Sequence, residues 1–307
     1  MHNNMKQFIL LVFFNAIAFL GYGQDNHPVS WEFRVEKTGS LTYRVDFVAT
    51  IKAPYHIYPQ TSGGMGMPTE FLFEDNQNIG FIGEVEEKGI GAKDGEELPY
   101  YKKGAIFSQV LKLKSDNQTE LKFAIKYMAC NDQMCLPPSK KNYTLSINGT
   151  NSSAAEHNRT SARLNDSNSK WIYDDFVMSD TMGKKISSKE ITAKSKYTFI
   201  DFWASWCVPC RAQGLALIPL YNKYQSRGFD VIAVSLDTNP TAWKKAIETD
   251  HYTWTNVSDL KGFESEIAKK YHITAIPRNF LVDNKGNIVA GDLHGKELEA
   301  KLAELFN

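Results

Sequence analysis

The hydrophobic pattern of this 307-residue chain changes once, across a polar segment at residues 149–170. Before that segment, from about residue 28 to 148, apolar side chains recur at alternate positions, as in Tyr43, Val45 and Phe47. After it, short apolar runs alternate with helical stretches. A period of two is typical of half-buried strands, whereas alternating strands and helices are typical of an α/β layer. The chain is therefore predicted to form two domains of different class.

The first domain, residues 24–148, is predicted to be an immunoglobulin-like β-sandwich. Its alternating runs are short and are separated by turn-rich stretches such as 61–64, which reads Thr-Ser-Gly-Gly. Short strands at this spacing favour two packed antiparallel sheets. No helical run longer than a turn or two is expected there.

The second domain, residues 171–307, is predicted to be an α/β domain. Asn239 and Pro240 suit the N-cap and first position of a helix. The predicted elements are a strand at 197–203, a helix at 208–226, a strand at 229–236, helices at 240–247 and 263–271, a strand at 279–283, a turn at 284–287 and a helix at 297–305.

The segment at residues 149–170 is rich in Asn and Ser and has almost no large apolar side chains. Such a composition cannot bury enough apolar surface to fold, so a flexible linker is expected. As a flexible coil its roughly 22 residues have an r.m.s. span of about 25 Å. The two domains can then meet in more than one orientation.

The first residues suggest export. Lys6 precedes an apolar run from Phe8 to Leu20, and small residues close the segment at Gly23. This pattern predicts a secretory signal peptide at 1–23, cleaved before Gln24. The alternative, a membrane anchor, is disfavoured because the run is shorter than the ~20 residues needed to span a bilayer. The mature chain is expected to be soluble in the periplasm or cell envelope, an oxidising compartment.

The charges balance at 35 Lys+Arg against 35 Asp+Glu, and the basic residues are dispersed. Nucleic-acid binding usually needs a basic patch or stripe. No nucleic-acid partner is therefore expected.

All four cysteines lie in two close pairs, Cys130/Cys135 and Cys207/Cys210. A disulfide closing so short a loop adds only ~2 kcal/mol of stability, against ~4.7 for a hundred-residue loop. Redox activity is thus favoured over stapling, with the disulfides as the only reactive groups and no cofactor or metal. Two alternatives remain at this stage: a long-range link such as Cys130 to Cys207, and a four-thiolate zinc site, which the long separation of the pairs disfavours.

The second pair carries a clear family resemblance. The stretch 199–210, which ends in Trp-Cys-Val-Pro-Cys, resembles the active-site strand and turn of thioredoxins. The later Ala275-Ile276-Pro277 resembles their cis-proline loop. The resemblance covers about residues 171–307 and is closest to exported thiol reductases of the TlpA/ResA type, so it implies a thioredoxin-like domain.

The expected chemistry begins at a helix N-terminus. Cys207 would lie where backbone N–H groups and the helix dipole favour a thiolate, which makes it the attacking sulfur. Cys210, one turn later, would resolve the mixed disulfide formed with a substrate. The resemblance implies that Asp201 is a buried proton acceptor for Cys210; the alternative is a solvated carboxylate at a strand end.

The same resemblance implies that Pro277 adopts the cis form beside the disulfide, where the adjoining backbone pairs with substrate. An ordinary trans turn is the alternative. Trp206 and Ile276 are assigned as weaker substrate contacts.

Three positions near the pair depart from the pattern of exported relatives. Gln213 stands where a glutamate is frequent, Leu215 where a proline is frequent, and Arg278 follows the cis-proline candidate where threonine is commoner. These changes leave the reduction potential and the client preference open.

The first pair resembles a different family. Residues 130–138, Cys-Asn-Asp-Gln-Met-Cys-Leu-Pro-Pro, resemble the cysteine motif in the N-terminal domain of DsbD, a periplasmic electron distributor. The resemblance covers about residues 28–148 and implies a pair that passes electrons onward. His56-Ile57-Tyr58 resembles the strand beside that pair, although as an alternating strand its role could equally be packing. The alternative is a structural disulfide that locks the sandwich edge.

The sequence therefore predicts an exported protein-disulfide reductase in which electrons pass between Cys130/Cys135 and Cys207/Cys210 and then to client proteins. A reductase in an oxidising compartment needs an outside supply, so a membrane electron-donating thiol transporter is expected as a partner. The alternatives are a disulfide oxidase or isomerase, and a cell-envelope binding protein with structural disulfides. The oligomeric state is left open.

Overall fold

The computed structural model describes residues 27–62, 66–92, 98–148 and 173–306. The predicted signal peptide at 1–23 and the predicted linker at 149–170 lie outside the described residues. None of the helices in these ranges has the length and hydropathy needed to cross a membrane.

The N-terminal domain is built from strands. One antiparallel sheet has the order β1-β2-β5-β4 and a second has the order β3-β6-β7. The strands are β1 Val29–Lys37, β2 Thr42–Ile51, β3 Glu70–Phe73, β4 Ile79–Gly89, β5 Gly104–Leu113, β6 Thr119–Tyr127 and β7 Ser139–Ile147. The described part of this domain has no helix, as the period-two pattern predicts.

The two sheets share one aromatic core. Phe47 on β2 lies 5.0 Å from the ring of Phe123 on β6, and Phe33 on β1 lies 4.7 Å from Tyr143 on β7. Alternate residues of each strand supply this core because successive side chains of a strand point to opposite faces. The sheet-rich prediction is confirmed, whereas the immunoglobulin-like designation stays a prediction.

The C-terminal domain is an α/β layer. Its mixed sheet has the order β14-β13-β10-β11-β12-β8-β9, and β10 runs parallel to β11 and antiparallel to β13. The elements are β8 Val177–Asp180, β9 Lys185–Ser187, α1 Ser188–Thr192, β10 Tyr197–Trp203, α2 Val208–Tyr224, β11 Phe229–Ser235, α3 Pro240–Thr249, β12 Thr255–Ser258, α4 Glu266–Lys270, β13 Arg278–Asp283, β14 Ile288–Gly291 and α5 Lys296–Phe306.

Two predicted helices differ from the structure. The helix expected at 208–226 ends at Tyr224 and continues as a 3₁₀ turn, which Gly228 closes with φ 100°. The helix expected at 263–271 is divided into a 3₁₀ turn and α4, because Ser265 has an extended ψ of 133°. The predicted cap of α3 is confirmed, since Asn239 Oδ1 accepts hydrogen bonds from the first turn.

Candidate active site

The second cysteine pair lies where β10 ends and α2 begins. Cys207 is the N-cap of α2, and its Sγ accepts a hydrogen bond of 3.2 Å from the N–H of Cys210. The two residues form a disulfide and are buried. A sulfur at an N-cap faces the unpaired N–H groups of the first helical turn, which stabilise negative charge. The structure thus has the helix terminus that was predicted for Cys207.

Buried polar contacts fix the turn that leads into this pair. The carboxylate of Asp237 accepts hydrogen bonds from the N–H of Ser205 at 2.9 Å and from its hydroxyl at 2.6 Å. The hydroxyl of Ser235, at the end of β11, donates to the same carboxylate at 2.7 Å. Burial raises the pKa of Asp237, and these hydrogen bonds act in the opposite direction. The sequence prediction did not include Asp237.

Asp201 lies in the interior of β10 and is 4% exposed, which excludes the solvated alternative. Burial raises the pKa of this carboxyl well above its ordinary value, and a hydrogen bond from Gln213 opposes that shift. Gln213 Nε2 donates to Asp201 Oδ1 at 2.9 Å. Because Cys210 and Gln213 are three residues apart on α2, they share a face, so Asp201 lies beneath the face that carries Cys210.

Gln213 connects this buried carboxyl to the surface. Its Oε1 is in close contact with Nδ1 of His294, an exposed residue just before α5. The departure at position 213 therefore puts a neutral hydrogen-bond donor, and no second acid, beside Asp201. His294 was not singled out by the sequence, because the residue is far from α2 along the chain.

Arg211 and Asp250 hold the start of α2 against the end of α3. The guanidinium donates to both carboxylate oxygens, with Nε–Oδ2 at 2.7 Å and Nη2–Oδ1 at 2.6 Å. The Asp250 side chain is only 6% exposed. Such a bidentate pair fixes the relative orientation of the two side chains and also pairs their opposite charges. This contact was also missed, because its partners are 39 residues apart.

The Ile276–Pro277 peptide bond is cis, as the thioredoxin resemblance implies. Ile276 is fully buried, and its carbonyl oxygen lies 3.8 Å from Cys207 Sγ. The loop therefore borders the second pair. Trp206 is half-buried beside the same region, with its ring 6.4 Å from that of Phe263.

The backbone partner of this loop is the first cysteine pair of the same chain. The N–H of Cys135 donates to the carbonyl of Ile276 at 2.8 Å, and the N–H of Ile276 donates to the carbonyl of Cys135 at 3.1 Å. The two residues form an antiparallel bridge. The N-terminal domain thus occupies the edge at which substrate pairing was expected.

Cys130 and Cys135 form a disulfide across a narrow hairpin, with their Cα atoms 4.1 Å apart. Cys130 also exchanges two backbone hydrogen bonds with His56, at 2.8 and 3.0 Å. A row of paired residues therefore crosses four extended segments in the order His56, Cys130, Cys135 and Ile276. We call these four residues the transverse row. Residues 56–58 lie beside the first pair, through the bridge of His56 with Cys130.

All four sulfurs belong to one buried cluster. Residues of the N-terminal domain, Tyr58, Met128, Cys130 and Cys135, join the core of the C-terminal domain there, and Met67 and Tyr100 pack at its margin. Each cysteine is at most 1% exposed. The pairing is 130 with 135 and 207 with 210, so the long-range alternative does not occur. No cluster of metal-ligating side chains is found in the described ranges.

The sheet order of residues 177–306 and the capped Cys-x-x-Cys beside a cis-proline define a thioredoxin-like domain of redox function. A model of the AhpC/TSA family matches residues 172–290. The thiol-disulfide oxidoreductase ResA of Bacillus thuringiensis subsp. konkukian is 32% identical over 129 residues, which span 42% of this chain and 71% of that protein. The sporulation thiol-disulfide oxidoreductase A of Bacillus subtilis is 33% identical over 116 residues, 37% of this chain and 67% of that protein.

A solved thiol-disulfide oxidoreductase from Bacteroides fragilis is 34% identical, with a TM-score of 0.42 over 44% of this chain and 99% of that one. On the sequence matches, the chain belongs to the ResA-type thiol-disulfide oxidoreductases and is an enzyme of that class. The family model begins at residue 172, so the likeness of residues 28–148 to the DsbD domain stays a prediction.

Proposed function

We propose that this enzyme is an exported protein-disulfide reductase whose two cysteine pairs exchange electrons directly. The observation that carries the proposal is the antiparallel bridge between Cys135 and Ile276. It holds the first pair against the cis-proline loop that borders Cys207. Two antiparallel sheets around one core support an immunoglobulin-like, DsbD-type role for the N-terminal domain.

The bridge also assigns a role to each sulfur of the first pair. The carbonyl of Ile276 accepts the N–H of Cys135 and lies 3.8 Å from Cys207 Sγ. Cys135 is therefore the residue that faces Cys207. Cys130, one segment further along the transverse row, is the resolving cysteine.

The exchange then proceeds in two steps. In the first, the Cys135 thiolate attacks Cys207, the bond between Cys207 and Cys210 breaks, and Cys210 leaves as a thiolate that receives a proton through Asp201. In the second, Cys130 attacks Cys135 and Cys207 leaves as a thiolate at the N-cap of α2. Two electrons move from the first pair to the second, and the reverse steps move them back.

Client proteins would be reduced by Cys207 after the N-terminal domain leaves the cis-proline loop, because the loop and the sulfurs are covered while it is docked. The burial of Asp201 supports its role at Cys210: it passes a proton to the leaving thiolate in the step above and accepts the proton when Cys210 attacks. Trp206 and Ile276 would then contact the client. A membrane thiol transporter would supply the electrons, with Cys130/Cys135 as the point of entry.

A second candidate function has its own observation. All four sulfurs are buried, which a cell-envelope binding protein with structural disulfides would also require. In that case both disulfides would resist mild reductant.

An oxidase or isomerase would use the same steps in reverse. The reduction potential of the second pair distinguishes a reductase from an oxidase, because reducing thioredoxins lie near roughly −270 mV and strong oxidants near −120 mV.

The test is a trapping experiment on the full chain. With Cys210→Ser, Cys207 cannot re-form its own disulfide, and we expect a Cys135–Cys207 link that peptide mapping identifies. Adding Cys130→Ser should stabilise that link, whereas adding Cys135→Ser in place of it should leave Cys207 unlinked within the chain. If the Cys210→Ser chain keeps Cys130–Cys135 intact and Cys207 free in every molecule, the relay is wrong.

A further inference from the structure

His56 lies directly across a backbone ladder from Cys130. The two residues exchange both backbone hydrogen bonds, His56 N–H to Cys130 O at 2.8 Å and the reverse at 3.0 Å. Residues paired in this way present their side chains on the same face, with Cβ atoms about 4.5–5.5 Å apart. Backbone pairing therefore places the side chains of His56 and Cys130 as neighbours on one face.

The ring of His56 is held in place by its neighbours, but one of its two nitrogens has no hydrogen-bond partner. His56 is 5% exposed, its Nε2 lies 3.2 Å from the hydroxyl of Tyr58, and its ring lies 4.5 Å from that of Tyr100. Among the described residues, Nδ1 is buried with no hydrogen-bond partner. Native structures leave few buried polar atoms unpaired, so each one needs an explanation.

Reduction of the first pair would supply the missing partner. In the disulfide, Cys130 has no hydrogen to donate, whereas a thiol does. With Nε2–H donating to the Tyr58 hydroxyl, Nδ1 carries the lone pair. It is also the ring nitrogen nearer to the backbone.

The pKa of His56 is set mainly by burial. Burial lowers its pKa, Asp132 in the loop of the cysteine pair raises it, and Lys102 lowers it. Burial also raises the pKa of Tyr58 to about 12, so that hydroxyl keeps its proton. The ring of Tyr100 lies beside that of His56, tilted by 33°. A neutral imidazole can accept a proton at neutral pH.

We propose that His56 is the proton acceptor for Cys130, a catalytic role on the N-terminal side that matches the one proposed for Asp201 on the other. This rests on the proposed relay. When Cys130 resolves the link between Cys135 and Cys207, its thiol proton passes to His56 Nδ1, and the resulting thiolate attacks Cys135 Sγ. The Cys130–Cys135 bond forms, the Cys135–Cys207 bond breaks, and Cys207 leaves with the electron pair. In the reverse direction His56 returns the proton to Cys130.

The experiment follows this step in the Cys210→Ser chain, which needs no added redox reagent. Its two states are the Cys130–Cys135 disulfide with free Cys207, and the Cys135–Cys207 link with free Cys130. Because a thiol at a helix N-terminus ionises more easily than an ordinary one, the ratio of the states depends on pH. The chain is moved from pH 9 to pH 7, quenched with acid at intervals, alkylated and mapped.

We expect His56→Gln to slow this relaxation at least about tenfold at pH 7, since only a few per cent of an ordinary thiol with a pKa near 8.5 is ionised there. The difference should disappear at pH 9, where Cys130 ionises without a base. His251→Asn, an exposed histidine of the other domain, is the matched control and should relax like the parent. Equal rates for His56→Gln and its parent at pH 7 would overturn the proposal and leave the relay standing. Absence of the Cys135–Cys207 link in the parent would overturn both.

A second measurement needs no substitution at His56. In the natural chain with ¹⁵N-labelled histidine, reduction by excess dithiothreitol should shift the Nδ1 resonance of His56, because the new Cys130 thiol donates to it. Cys130→Ala should abolish that shift, and Tyr58→Phe identifies the resonance through Nε2. An unchanged Nδ1 resonance on reduction would contradict the proposal even if His56→Gln does not fold.

Discussion

Cys135 and Ile276 are joined by two backbone hydrogen bonds although they belong to different domains and are separated by 141 positions, from 135 to 276. Backbone pairing of this kind binds an extended segment through its main chain and does not depend on its side chains. The N-terminal domain therefore docks on the cis-proline loop as an extended peptide would. Any client that pairs with the same loop has to displace it.

Weakening this docking should expose the second pair. Met67 packs at the margin of the buried cluster, so Met67→Asp places a charge in the interface. We expect the Cys207–Cys210 disulfide to be reduced several-fold faster by a large reductant such as reduced thioredoxin, as followed by quenched alkylation. Leu72→Asp, at a 43% exposed position of β3 outside the interface, is the control. Equal rates for the two variants would mean that docking does not protect the pair.

Asp201→Asn should stabilise the C-terminal domain while slowing its chemistry. The folded-state pKa of Asp201 is raised, so the folded state holds its proton more tightly, and stability falls as pH rises from the unfolded pKa to the folded one. The amide of Asp201→Asn does not ionise, so the variant does not lose this stability as pH rises. We expect Tm to rise by about 2–4 °C at pH 8, which corresponds to roughly 1 kcal/mol, and to change little at pH 3.5.

In the same variant, insulin reduction with dithiothreitol should slow at least tenfold near pH 7, because a general base typically accelerates a reaction about 10²–10⁴-fold. Asp230→Asn, another carboxyl of the domain whose pKa is raised by burial, is the matched control. A fully active Asp201→Asn chain would rule out the proton-acceptor role.

Gln213→Glu should move the pH dependence of thiol–disulfide exchange to higher pH. The variant replaces the donor to Asp201 with a second carboxyl, and like charges raise each other's pKa. The alkaline shift should appear in the pH profile of thiol–disulfide exchange, together with lower stability at pH 8. His294→Gln leaves Asp201 with its donor and should change the profile less. A profile identical to that of the natural chain would show that Gln213 does not tune Asp201.

Arg211→Ala should destabilise the C-terminal domain by about 3–5 kcal/mol, because it leaves the buried Asp250 carboxylate without its partner. Urea unfolding followed by tryptophan fluorescence measures this change. Arg211→Ala combined with Asp250→Asn removes the uncompensated charge and should recover part of the loss. If the double variant is no more stable than Arg211→Ala, the unpaired charge is not the cause.

Local patterns predicted the elements that carry the site. Alternating apolar residues predicted the strands of the first domain, and Asn239 with Pro240 predicted the start of α3. The place of Cys207 at the start of α2 followed from the thioredoxin resemblance. These signals act within a few residues, so a single sequence contains them. The burial of Asp201 was implied by the thioredoxin resemblance.

The contacts that complete the site are of a different kind. Arg211 with Asp250, Gln213 with His294, and Cys135 with Ile276 each join segments far apart along the chain, and none has a spacing that would reveal it. His56 was noted only as part of a strand, because nothing local shows that its ring lies across from Cys130. Tertiary packing, which brings these segments together, is what the sequence patterns do not contain.

The transverse row is a small sheet that neither domain can form alone. Carrying both domains on one chain makes its assembly intramolecular, so its probability does not depend on how dilute the protein is. Tethered partners of this kind meet at effective concentrations in the millimolar range. Electron exchange between the pairs should therefore be independent of protein concentration, whereas the same two domains supplied as separate chains would exchange electrons at a rate that falls with dilution.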